Sequence, residues 1–314
     1  MAASAPAFPQ GPVASRGGMT GRRRRNLIAG YAFLIPNLLG VLAFSLFPIA
    51  TTIYLTFHEW NLSDTPVFNG LQNFVLMAGD SLFWKTLGNT FYYTFVAVPV
   101  AVFLAFWLAL LLDRKMRGVL SFRVIYFLPH VTLTVAASII WAWIFQAEFG
   151  LINWALSKIN VDGPYWLTDS RWAMISIIIM SNWKGIGYAM LIFLAGLQGI
   201  PAELLDAATV DGANGWRRLR HVKVPLLTPT IFFILTTSFI GAFQAFDQFM
   251  IMTNGGPAFA TTPLVLYIYR NGFAYFKMGY ATSMAAILFL CILAITLFQW
   301  SVARRWVYGF DMDN

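Results

Sequence analysis

Apolar residues run along this chain in long blocks separated by short polar stretches. Six blocks lie near Leu27–Phe57, Leu87–Leu112, Phe122–Phe145, Trp172–Leu197, Leu226–Met252 and Gly279–Val302. Each reaches the length of about 20 apolar residues that a helix needs to cross the hydrocarbon core. Pro36, Pro48, Pro99, Gly187 and Gly241 fall inside these blocks. Membrane helices tolerate such residues when neighbours re-satisfy the freed backbone groups. The pattern predicts an all-α polytopic membrane protein with six transmembrane helices.

Composition supports this class. Of 314 residues, 59% are hydrophobic and 11% charged, against about 25% charged in a soluble domain. The single cysteine, Cys291, lies in the last apolar block and is expected to be a small buried hydrophobe. It has no partner for an internal disulfide, and no Cys/His spacing suggests zinc. The basic residues are distributed unevenly. Arg16 and Arg22–Arg25 precede the first block. Arg114, Lys115, Arg117 and Arg123 follow the second, Arg217, Arg218, Arg220 and Lys223 follow the fourth, and Arg304 and Arg305 follow the sixth. The alternate loops hold only Lys85, Lys158, Arg171, Arg270 and Lys277, and Lys184 is inside a block. The positive-inside rule then places both termini in the cytoplasm, consistent with an even number of spans. This topology accounts for the net charge of +8. The basic residues are spread over four membrane-flanking sites, so no nucleic-acid-binding face is expected.

The opening stretch, MAASAPAFPQGPVASRGGMT, is rich in Ala, Pro, Gly and Ser and has no apolar core. It is expected to be a disordered tail rather than a cleaved leader. The expected organisation is a basic cytoplasmic tail over 1–26, a six-helix membrane domain over 27–303 and a short tail over 304–314.

One segment breaks the apolar pattern: LLDAATVDGANGWRRLRHVKVPLL, Leu204 to Leu227. Gly199, Ile200 and Pro201 end the fourth span, and Pro201 suits the first turn of a new helix. Glu203 and Asp206 then complement the positive end of that helix's dipole. Ala207 and Ala208 make a small surface that another protein can approach. Gly212 suits a left-handed helix end, and Asn214 can cap a second helix from Gly215 to about Val222. On it Trp216 and Leu219 share one side while Arg217, Arg218 and Arg220 face outward. Pro225 is expected to break the helix before the fifth span. Taken alone, this is either an amphipathic cytoplasmic loop or a docking elbow.

The order Asp206-Ala207-Ala208, Asp211-Gly212-Ala213 and Val224-Pro225 closely resembles the "EAA" loop of ATP-binding-cassette importer permeases. The stretches FLIPNLLGVLAFSLFPIATTIYLTFHEWN, NTFYYTFVAVPVAVFLAFWLALLLD and MTNGGPAFATTPLVLYIYRNGF extend the likeness to carbohydrate-type permeases of the maltose and glycerol-3-phosphate importers. One departure is that Asp206 stands where the family usually has Glu, one methylene shorter, with Glu203 as an alternative carboxylate. The resemblance implies a type I importer transmembrane domain in a bacterial inner membrane. It implies a coupling loop at about 199–225 that uses Glu203, Asp206, Ala207, Ala208, Asp211, Gly212, Ala213 and Pro225. The chain would be a transport subunit, not an enzyme. Implied partners are a second permease, usually different, two ATP-binding subunits and an extracytoplasmic solute-binding protein. No Gly-x-x-x-x-Gly-Lys-Ser/Thr loop is present. The chain is expected to bind no cofactor, with ATP and Mg held by the partner ATPase.

Polar residues inside spans are costly and often functional. Asn182, Lys184 and Tyr188 in the fourth block and Gln244, Asp247 and Gln248 in the fifth are the candidate solute path. Trp183, Tyr188 and Phe243 or Phe246 are candidate stacking surfaces, since aromatic faces suit sugar rings and amides suit hydroxyls. The competing role for Lys184 is a structural bond to an acid or a backbone carbonyl. The loops Phe57–Thr86 and Glu148–Arg171 suit interfacial anchoring; the resemblance adds docking of the binding protein. An ion-coupled secondary transporter of a small polar solute is the rival class, with Asp247 as its thin support. No catalytic set involving His58, His130 or His221 is suggested. The sequence leaves open which sugar, oligosaccharide or glycerol phosphate-type solute is carried.

Overall fold

The computed structural model describes residues 21–114 and 117–308. The expected tail over 1–20, Lys115 and residues 309–314 lie outside the described residues. The chain divides into two units, Met1–Thr52 and Ile53–Asn314.

From the first unit, α1 (Gly21–Val41) runs through a π turn, Leu42–Leu46, into α2 (Phe47–Thr56), whose last residues, from Ile53, belong to the second unit. Helix therefore begins at Gly21, inside the stretch expected as tail. The π turn precedes Pro48, which has no N–H to donate. There the Phe47 N–H reaches back five residues to the Leu42 carbonyl. Thr51 Oγ1 and Thr52 Oγ1 donate to the carbonyls of Phe47 (2.9 Å) and Pro48 (2.8 Å). These hydroxyls add second donors to carbonyls one turn back, on the far side of the proline.

The second unit opens on a two-residue ribbon, β1 (His58–Glu59) against β2 (Val67–Phe68), and a short helix α3 (Gln72–Gly79). Then come α4 (Ser81–Leu112), α5 (Val119–Val131), α6 (Thr134–Ile144), α7 (Leu151–Ser157) and α8 (Ser170–Gln198). A polar elbow follows: α9 (Ala202–Val210), α10 (Gly215–Arg218), a π turn Leu219–Lys223, and α11 (Val224–Leu226). The chain continues as α12 (Thr228–Phe243), α13 (Asp247–Met252), α14 (Leu264–Tyr269), a π turn Arg270–Ala274, and α15 (Met278–Trp306). Helix α15 runs to Trp306, so Arg304 and Arg305 are helical.

Helix α4 is the centre of this unit and packs on both α8 and α12. Ala105 and Ala109 on α4 are fully buried in a cluster with Met190 and Phe193 of α8. Small residues at such a seam let two membrane helices approach closely.

Four helical segments are long and apolar enough to cross a membrane alone: Ile28–Thr56, Ser81–Leu112, Ser170–Gln198 and Met278–Trp306. The third block does not form one straight span. It is split into α5 and α6, bent by 99°. Pro129 has no N–H to continue the ladder, and Thr132 turns extended and donates its Oγ1 to the Pro129 carbonyl at 2.7 Å. The fifth block is also interrupted. Helix α12 stops at Gln244, and α13 starts only at Asp247. The chain also turns by 62° where the elbow meets α12. Six spans result only if each bent pair counts as one.

At the N-terminal end of α4, one carboxylate joins three helices. Asp80 Oδ1 caps α4 by accepting the Leu82 N–H (2.9 Å). Asp80 Oδ2 accepts the hydroxyls of Tyr267 from α14 and Tyr280 from α15, each at 2.7 Å. Burial works to raise the Asp80 carboxyl, but the bonds from Tyr267, Tyr280 and the Leu82 and Phe83 amides outweigh it and hold it below its ordinary value. Burial and the adjacent carboxylate push the Tyr267 hydroxyl up to about 12. Asp80→Ala is expected to destabilise the protein by about 3 kcal/mol and Tyr267→Phe by about 1 kcal/mol. Unfolding in detergent measures both; equal stability of Asp80→Ala and the parent would remove the hub.

Candidate functional site

Two features stand out, at different depths along the helices. The first is the elbow between α8 and α12. Helix α9 follows Pro201, which sits just outside the helix as its cap rather than in the first turn. Glu203 lies in the first turn, as expected. Its far end closes with Asp211 as the cap and Gly212 at φ +76°. The Gly212 N–H donates to the Thr209 carbonyl (3.0 Å) and the Ala213 N–H to the Ala208 carbonyl (2.9 Å). This is the Schellman arrangement, which needs a left-handed residue at that position. Asn214 Oδ1 accepts the Arg217 N–H at 2.9 Å and caps α10. Arg218 Nη1 donates to Thr209 Oγ1 (3.1 Å), tying the two helices together.

Two expectations change here. The helix does not break at Pro225. The π turn lets the Val224 N–H reach the Leu219 carbonyl, so the chain stays helical through Pro225 and turns at Leu227. Trp216 does not pack inward with Leu219. It is 61% exposed, and Val210 is 88% exposed. Glu203, Asp206, Ala207, Asp211 and Gly212 are exposed as well, with Ala208 and Ala213 half-buried. The elbow therefore presents a mixed apolar, acidic and basic surface while its exit, at Leu227, is fully buried.

The second feature is a cavity of about 510 Å³ between α4, α5, α6, α8, α12 and α13. All six candidate path residues line it: Asn182, Lys184, Tyr188, Gln244, Asp247 and Gln248. Both helix interruptions open onto it, through Thr134 after the α5–α6 break and through Gln244 to Phe246 before α13. Irregular backbone at membrane depth is tolerated where it is buried in protein or lines a cavity. Lys184 Nζ donates to the His130 carbonyl at 3.0 Å, one of the carbonyls left free where α5 ends. A cation at that end also complements the helix dipole. The structural role weighed for Lys184 is thus present, and the residue still faces the cavity. Tyr188 stacks on His130 with ring centroids 4.7 Å apart and planes 12° apart. Gln248 Nε2 donates to Tyr93 Oη at 3.2 Å.

The stacking candidates divide. Phe246 and Tyr188 line the cavity, whereas Phe243 is buried against Phe91 and Trp183 packs on Trp141. Tyr93, Thr134, Ser181, Thr237 and Ser238, unmarked in the sequence, also line it, as does His130, considered there only for catalysis. Cys291 is half-buried rather than buried. Among the described residues no group of His, Cys, Asp and Glu could hold a metal ion. A further pocket of about 610 Å³ lies at the Asp80 end of α4, away from the elbow. It is lined by residues of the 57–86 loop, including Trp60, Asn69 and Gln72, and by Tyr275 and Lys277.

Residues 75–308 match the family described as "Binding-protein-dependent transport system inner membrane component". The chain belongs to this family. A probable ABC transporter permease protein of Bacillus subtilis, YesP, is 36% identical to it, with 91% of this chain and 93% of the relative covered. The sulfoquinovosyl glycerol transport system permease protein SmoG of Agrobacterium fabrum is 35% identical, covering 80% and 83%. A bacterial ABC transporter involved in alginate import shares the fold, with a TM-score of 0.80 at 24% identity, covering 90% of this chain and 96% of that one. The protein is a permease subunit and not an enzyme, and these matches do not favour the secondary-transporter alternative.

In this permease α5 and α8 touch through backbone. A Cβ at Gly187 would collide with the carbonyl of Tyr126. Gly187→Ala is expected to cost at least about 3 kcal/mol, since the contact is main chain that no rotamer can relieve. The yield of folded protein on size exclusion, with Gly185→Ala as the control in open space, reads this out. Equal yields would contradict the close packing of the two helices.

Proposed function

We propose that this permease forms half of the solute pore of an ATP-driven importer and is moved by a separate ATPase docked on its elbow. The observation that carries the reading is the connectivity of the elbow. It leaves α8, which bears Asn182, Lys184 and Tyr188, and enters α12, which leads to Gln244. A partner that rotates the elbow turns two walls of the cavity. Its exposed face offers Ala207 for close approach, Asp206 and Glu203 for a basic group, and Val210 and Trp216 for apolar contact. Interfaces of this kind transmit rigid-body rotations.

The rest of the assembly follows from this. Two ATP-binding subunits, holding ATP and Mg, sit on the cytoplasmic side with the elbow and both termini, as the basic loops favour. A second permease closes the other half of the pore. A solute-binding protein delivers solute to the opposite face, where the 57–86 and 148–171 loops lie. The solute is a sugar or related polyol: SmoG is named for sulfoquinovosyl glycerol transport, and the cavity combines Asn182, Gln244 and Gln248 with Tyr188 and Phe246. Such amides and aromatic faces suit hydroxyls and sugar rings.

Gly212→Trp is expected to insert normally yet lose solute-stimulated ATP hydrolysis in the assembled complex by at least about tenfold, because it adds bulk at the docking face and strains a φ > 0 position. Unaltered stimulation would remove the coupling role. Asn182→Ala combined with Gln244→Ala is expected to lower uptake by about tenfold at normal expression, the equivalent of one or two lost hydrogen bonds. Unchanged uptake would take these residues out of the solute path.

A further inference from the structure

Helix α4 forms a wall of the cavity through Tyr93, Ala97, Val98 and Ala101, yet no covalent connection runs from the elbow to it. Its far end carries an unexplained residue. Asp113 caps the C-terminus of α4, where a carboxylate faces the negative end of the helix dipole and is locally unfavourable. Its partner lies 110 residues away: Lys223 Nζ approaches Asp113 Oδ2 to 3.0 Å.

This pair differs from an ordinary surface contact. The two side chains are only 23% and 21% exposed. The other ion pair among the described residues, Arg171–Asp169, is longer at 3.7 Å and its arginine is 89% exposed. Exposed pairs contribute little, whereas removing one partner of a sheltered pair is costly. Lys223 closes the π turn, and its carbonyl accepts the Leu227 N–H at 2.9 Å. It must therefore move with the root of the elbow. On the α4 side, Arg123 of α5 donates its Nη2 to the Leu112 carbonyl at 2.8 Å. The end of α4 is thus held by the elbow and by α5 together.

We infer that Asp113 and Lys223 are positioning residues that pass movement of the elbow directly to α4, so that a third cavity wall turns with α8 and α12. The inference rests on the reading that an ATPase docks on the elbow. From Asp113 to Tyr93 the helix spans about 30 Å at 1.5 Å per residue. Helix α4 is unbroken over this length, Pro99 included, so a displacement at the Asp113 end is carried to the cavity.

The test uses the complete importer complex, reconstituted with its ATP-binding subunits, with Cys291→Ser in the permease. Spin labels are placed at Leu111→Cys on α4 and Arg220→Cys on the elbow, both exposed and outside the docking face. The distance between them is measured without nucleotide and with ATP plus vanadate. With the pair intact it should stay within about 2 Å, because the elements move together, and in Asp113→Asn it should shift or broaden by about 5 Å, the scale of one helical turn. The exchange Asp113→Lys with Lys223→Asp should restore the constant distance, which a purely structural role of either residue would not require. A constant distance in Asp113→Asn, or no restoration in the exchanged pair, would overturn the inference. The docking reading fails separately if a single label at Val210→Cys, in a sample of its own, has the same mobility with and without the ATP-binding subunits, and the inference then falls with it.

Discussion

A backbone amide or carbonyl inside a membrane has no water to turn to, so every interruption of a helix must be answered by another protein group. This constraint organises the permease. Where Pro48 lacks an N–H, a π turn precedes it, with the Phe47 N–H bonded five residues back to the Leu42 carbonyl. At the end of α5, Thr132 and Lys184 take up the free carbonyls of Pro129 and His130. The repair at α5 uses polar side chains, and both breaks, α5–α6 and α12–α13, open onto the one cavity where the candidate solute path lies.

Helix α4 is fixed at both ends by carboxylates, with opposite local logic. Asp80 suits its position: it caps an N-terminus and gathers two tyrosine hydroxyls from α14 and α15. Asp113 suits its position only because Lys223 is there. The first end ties together helices near the 57–86 loop. The second ties the helix to the elbow. A long helix held in this way behaves as a strut between the two faces of the molecule.

Much of this was legible in the sequence, for identifiable reasons. Lengths of apolar blocks located the spans, and Gly212 and Asn214 punctuated the elbow because their conformations are chemically specific. All six polar candidates in the fourth and fifth blocks line the cavity, since polar residues stand out against an apolar background. The breaks were hidden. Pro129 falls inside an apolar block, as does Pro99, which α4 carries without a break, and nothing in the run Phe243–Asp247 marks an end. Aromatics misled in both directions: Trp183 and Phe243 pack on other rings, while His130 and Tyr93 face the cavity. Which way a ring points in a helix that is apolar all round is decided by neighbours distant in sequence. The Asp113–Lys223 pair was unreadable for the same reason.

The permease is therefore a set of cavity-lining helices joined to an exposed elbow, which we propose meets an ATPase in the cytoplasm. Val210, at the tip of α9, is its most direct probe. In a Cys291→Ser background, Val210→Cys should react with a membrane-impermeant maleimide in inside-out vesicles and not in right-side-out cells. Restoring the ATP-binding subunits should protect it. Labelling from the outer face, or labelling that the ATP-binding subunits leave unchanged, would contradict the account.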